Sequence, residues 1–161
     1  MFSFPNPVNE VSARLVAGGV MILSIVTFAF RLPWLLIPLA YGFVARVLTG
    51  PTLSPWGQVV TRVLTPRLPL ADKPVPGPPK RFAQGIGAAI TLTALVLHFA
   101  FGLTTAAFVV LGLVVVAATL ESVFGFCLGC WIFARLMRAG VISEDVCEAC
   151  NDIWNRRPAS P

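Results

Sequence analysis

Two short cysteine pairs, Cys127-Leu128-Gly129-Cys130 and Cys147-Glu148-Ala149-Cys150, stand sixteen residues apart near the end of an otherwise apolar chain. Three kinds of chemistry fit them. The spacing lies within the C-x₂-C-x₁₅₋₂₀-C-x₂-C pattern of zinc sites, where four thiolates close a tetrahedral, structural centre. It equally fits two redox-active dithiols, each with an attacking and a resolving sulfur. In the third, blander case the thiols stay reduced and pack as small apolar side chains. Neither pair carries the proline-glycine knuckle of many zinc ribbons, and both have helical surroundings.

The elements around the pairs bear on which sulfur would react. Gly125 and Gly129 loosen the chain where the last apolar segment ends. A helix starting there would place Cys127 at its N-terminus, where free amides and the helix dipole favour a thiolate. A short helix from about Trp131 to Ala139, stopped by Gly140, could return the second pair to the first. Ser143 is a good N-cap for a further helix, with Glu144 and Asp145 in its first turn. Cys147 and Cys150 would then share one face beside Ile153 and Trp154. The carboxylates of Glu144, Asp145 and Glu148 oppose thiolate formation at that pair. Cys127 is therefore the expected nucleophile and Cys130 its resolving partner.

The rest of the chain is a membrane scaffold by composition. Of 161 residues, 57% are hydrophobic and only 12% charged, against about a quarter charged in typical soluble domains. Mean hydropathy is +0.83. Four segments suit bilayer-crossing helices: about Val11 to Phe30, Trp34 to Thr49, Phe82 to Phe101 and Thr104 to Phe124. The turns at Arg31-Leu32-Pro33 and Gly102-Leu103 make each successive pair a hairpin. The second segment is the shortest and carries Pro38 and Arg46. Eleven of the twelve basic residues fall at one face, leaving Arg31 alone on the other. By the positive-inside rule both termini and the central loop are expected in the cytoplasm of a cell with an inner membrane. A permanent disulfide is disfavoured in that reducing compartment. Segment one lacks a cleavage region and reads as a retained helix rather than a signal peptide. The net charge of +5 suits anionic lipid, and no aromatic-basic interleaving points to nucleic acid.

The expected fold is thus all-α and polytopic: a bundle over residues 1–125, including a cytoplasmic loop over 50–81, then a four-cysteine tail over 126–161. In the loop, Ser54-Pro55 predicts a helix start. Trp56, Val59, Val60, Val63 and Leu64 follow at helical spacing, either lying in the membrane interface or packed on the end of the bundle. The proline run Pro74 to Pro79 is expected to be extended, with Lys80-Arg81 anchoring segment three at the headgroups. Glu121, the one acid within a span, is expected to pair with Arg46, since intramembrane ions usually find partners. A proton-handling role beside the thiols is the sharper alternative, and needs a break at Gly125. His98 reads as an interfacial residue, not a ligand. Gly18, Gly19, Gly85 and Gly87 read as close-packing positions.

Three stretches, Gly50 to Pro55, Pro76 to Gly87 and Gly125 to Cys130, resemble a bacterial integral membrane family termed domain of unknown function 4395. The resemblance runs over most of the chain, and Cys147-Glu148-Ala149-Cys150 resembles that family's tail. It implies a four-helix inner-membrane protein and assigns no activity. The expected function is a thiol-disulfide or sulfur-relay component, with Cys127 attacking, Cys130 resolving, and Cys147 and Cys150 exchanging with a soluble cytoplasmic thioredoxin-like or sulfurtransferase partner. The alternative is a non-enzymatic scaffold whose tail those same four cysteines clamp through zinc. The lipid bilayer is the other expected partner, and a second copy of the chain could add polar lining.

Overall fold

A computed structural model describes residues 4–147, which are mainly helical. Among the described residues three helices are long and apolar enough to cross a membrane: α1 (Glu10–Ala29), α5 (Gly77–Phe99) and α6 (Thr104–Phe124). The shorter apolar α2 (Leu36–Thr49) continues directly from a 3₁₀ turn at Pro33–Leu35. Pro38 does not break α2, because it falls in the first turn, where no amide bond is lost. Hydrophobic side chains such as Ile22, Phe28, Val109, Leu113 and Phe124 point outward from these helices and are exposed. Apolar surface on that scale is a surface for lipid or another protein rather than water.

α1 packs mainly on α6, α6 on α5, and α5 on α2, while α1 and α2 touch only slightly. The order α2–α5–α6–α1 therefore places α5 between α2 and α6. The core uses small residues so that backbones approach closely: Ala88, Ala94, Ala107 and Ala118 alternate with Leu36, Leu39 and Leu111. Buried hydroxyls return their protons to the preceding turn, as Thr27 does to Leu23 O and Thr91 to Gly87 O. Gly87 lies against the Phe43 ring and Gly19 under the Trp56 indole, and neither has room for a Cβ. Gly18 lies close to Ser122, whereas Gly85 faces open space and is not a packing position.

The long loop is partly folded onto the bundle. Ser54 caps α3 (Pro55–Val59), accepting from Gly57 N at 3.2 Å. The helix runs on through a π turn (Val60–Leu64) into α4 (Thr65–Arg67). Val60 is fully buried, and Trp56 Nε1 donates to Val16 O at 3.3 Å, so one face packs on the bundle. Trp56, Val59 and Val63 keep exposed surface on the other face. Past it, β2 (Pro74–Val75) pairs antiparallel with β1 (Val8–Asn9), a contact that the sequence does not signal.

The proline run differs from expectation. α5 begins at Gly77 and takes Pro78 and Pro79 into its first turn. Proline is accepted there because the first amides of a helix have no partner to lose. The early start turns Lys80 into the bundle, where it is buried, instead of out to the headgroups.

Candidate functional site

The end of α6 decides where Cys127 goes. Gly125 adopts a left-handed conformation (φ 67°), and Phe126 N bonds back to Leu120 O at 3.0 Å. This is a Schellman-type stop, for which glycine is best suited. Arg14 from α1 donates to the last carbonyls of α6, Ser122 O and Val123 O, both at 3.2 Å. The chain breaks at Gly125 as the proton-handling alternative requires.

α7 (Leu128–Arg138) starts at once, with Cys127 as its N-cap. The Cys127 sulfur accepts from Cys130 N at 3.3 Å. The two sulfurs are joined as a disulfide, with Cα atoms 5.2 Å apart. The bond spans three positions and ties no distant parts of the chain together. α7 is fixed chiefly on α5: Gly129 meets the Ala83 backbone, and Phe133, 4% exposed, packs edge-on to Phe82 at 5.5 Å. α7 ends near Arg138, and Gly140 follows at φ 77°.

Behind the pair lies a cavity of about 360 Å³. Its walls are mostly apolar, including Val20, Phe43, Ile90 and Val114, with Cys127, Glu121, Gln84 and Arg46 as the functional groups. Glu121 does not pair directly with Arg46. Its carboxylate meets Lys80 Nζ at 2.6 Å, and both side chains are nearly buried. Arg46 donates instead from Nε to Gln84 Oε1 at 2.8 Å and from Nη1 to Ser54 Oγ at 3.3 Å, and its guanidinium lies 4.7 Å from the Phe43 ring centre. The correction follows from the helix order: Arg46 is on α2 and Glu121 on α6, and intervening α5 supplies the partner to each. Arg46 is 6% exposed, and its Nη2 finds no hydrogen-bond partner among the described residues.

Lys80 and Gln84 are the residues that sequence reasoning missed. They are one helical turn apart, the i, i+4 spacing of a shared face, in the polar first turns of α5. That pattern was visible once the helix start was moved back to Gly77. His98 sits at the opposite end, with Nδ1 3.0 Å from Thr104 Oγ1, away from the cysteines. The backbone of a short 3₁₀ turn (Glu144–Cys147) lies near α5. Cys150, Ile153 and Trp154 lie outside the described residues, so the expected four-cysteine cluster does too. Among the described residues no three His, Cys, Asp or Glu side chains gather as for a metal.

The family model for a domain of unknown function, DUF4395, matches residues 8–138. The chain belongs to this family. The DUF4395 match takes in Arg46, Lys80, Gln84, Glu121, Cys127 and Cys130, and stops before Cys147. No curated protein and no solved structure matches the chain.

Proposed function

We propose that the protein is a four-span inner-membrane thiol-disulfide exchange component, with both termini and its cysteine site on the cytoplasmic side. The observation that supports this most is the placement of a bonded C-x-x-C pair at a helix N-terminus, with its leading sulfur on a cavity that also carries a nearly buried carboxylate. A helix N-terminus favours the Cys127 thiolate over the thiol.

In the exchange, the Cys127 thiolate attacks one sulfur of a Cys147–Cys150 disulfide. An intramolecular mixed disulfide forms, and one thiolate leaves. Cys130 then attacks the Cys127 sulfur, closing the Cys127–Cys130 bond and releasing the second thiolate. The first pair is oxidised and the second reduced; run in reverse, a second pair reduced by a soluble dithiol protein of thioredoxin-like type reduces the first. Each step is reversible, and the relative potentials set the direction. A sulfur relay would use the same attacking sulfur.

The test is metal content together with a thiol count on protein purified anaerobically without chelators. The expected outcome is metal-free protein whose four thiols convert reversibly to disulfides, with Cys127→Ser losing exchange. About one zinc per chain, with thiols that react only after chelation, would replace this reading with the structural clamp.

A further inference from the structure

Arg46 is the group that the exchange reaction does not use. Its guanidinium is nearly buried, Nη2 has no partner among the described residues, and Arg46 lines the same 360 Å³ cavity as Cys127. A buried donor left unmatched costs free energy, so a site that keeps one gains when an acceptor arrives. The nearby Lys80–Glu121 pair is neutral as a unit. Arg46 therefore leaves the cavity one positive charge in excess, which favours a ligand oxygen that becomes negative.

The remaining walls limit what can carry that oxygen. They are largely apolar, and Leu113 and Val116, which also line the cavity, are exposed on the outer surface of α6. The volume falls within the range of about 300–1,000 Å³ typical of small-molecule sites, which combine apolar walls with a few fixed polar groups. The occupant should thus be an apolar molecule that enters from the hydrocarbon side, offers a hydrogen-bond acceptor to Arg46, and can react with Cys127.

We propose that this cavity is a quinone site, through which the Cys127/Cys130 dithiol passes two electrons to a lipid-soluble quinone. The inference rests on the thiol-exchange reading of the same cysteines and gives it a direction. The Cys127 thiolate adds to a quinone ring carbon, and the displaced electron pair moves to the carbonyl oxygen facing Arg46. That oxygen takes a proton. Cys130 then attacks the Cys127 sulfur, so the S–S bond forms as the S–C bond breaks. The released pair stays on the ring, and protonation of the second oxygen gives the quinol. Two thiols become one disulfide, one quinone becomes one quinol, and the two thiol protons balance the two taken up. The Cys147/Cys150 dithiol then reduces the Cys127–Cys130 bond.

The experiment uses full-length reduced protein in lipid nanodiscs with decylubiquinone, whose fully substituted ring resists direct thiol arylation. Quinone absorbance, free thiols and exchange with glutathione disulfide are followed together. The expected result is two thiols lost per quinol formed. Arg46→Gln should slow quinol formation by roughly a hundredfold, the scale of losing one donor to a developing oxyanion. Ala117→Phe, on the cavity wall, should lower quinone reduction far more than glutathione exchange, which separates a filled cavity from a misfolded protein that loses both. Cys127→Ser should still bind decylubiquinone without reducing it. Thiols that exchange with glutathione disulfide while quinone stays oxidised would overturn the quinone site and leave the exchange reading standing. Thiols inert to both would overturn both. Equal rates in wild type, Arg46→Gln and Ala117→Phe would reduce the quinone chemistry to a solution reaction, and a bound fatty acid that quinone cannot displace would assign the cavity to a lipid instead.

Discussion

The two ends of the helix bundle are fastened in different ways. At the end that carries Cys127, side chains secure the helix termini: Asn9 caps α1, Ser54 caps α3, Arg14 takes the last carbonyls of α6, and Arg81 reaches Val47 O near the end of α2. At the other end the chain reverses mainly on its own backbone, with Leu32 N bonded to Thr27 O, Gly102 N to His98 O and Leu103 N to Leu97 O, and His98 Nδ1 to Thr104 Oγ1 as a side-chain bond across the turn. One end therefore only reverses direction. The other spends buried charge and side-chain bonds on holding a cavity and a cysteine pair in a fixed relation.

If that contrast is right, substitutions at the cysteine end should cost far more. The largest effect is expected for Lys80→Met, which strands the Glu121 carboxylate. Removing one partner of a buried pair costs about 3–5 kcal/mol, to be read from unfolding in detergent. The double variant Lys80→Met, Glu121→Leu should recover most of it. A loss below about 1 kcal/mol for the single variant, the scale of an exposed pair, would erase the distinction between the ends. Gly129→Val comes next, because its side chain would meet the Ala83 backbone. Overpacking of this kind costs about 1–3 kcal/mol, and displacing α7 should also change the alkylation rate of reduced Cys127. The smallest effect belongs to the turn end. Arg31 holds a left-handed backbone (φ 50°), so Arg31→Gly should stabilise by at most about 1 kcal/mol and leave cysteine reactivity unchanged.

The sequence carried the course of the chain better than the meeting of its parts. α6 was legible to the residue because a long, mostly apolar run ends at a glycine, and the place of Cys127 followed from that stop. The start of α5 was misjudged because a run of prolines reads as extended, although a first turn tolerates it. The partner of Glu121 was misjudged because matching depth along two helices says nothing of which helix stands between them. Lateral order is a property of packing among surfaces that are nearly all apolar and alike, so hydropathy cannot supply it. Gly85 and Gly87 make the same point: two residues apart, one lies against Phe43 and the other faces open space.

The small β1–β2 ladder bears on how the chain is assembled. It joins the residues just before α1 to those just before α5, with Val8 opposite Val75, and it is reinforced by Asn9 to Asp72 and by Gly77 N to Asn6 Oδ1. α1 and α5 scarcely meet inside the bundle, yet this clasp brings their first residues side by side. Val8 and Asn9 leave the ribosome long before Pro74 and Val75, so the clasp cannot close until both of the first two apolar helices have been made. Once closed, it fixes the axial level of α5 against α1, and with it the depth at which Lys80 meets Glu121.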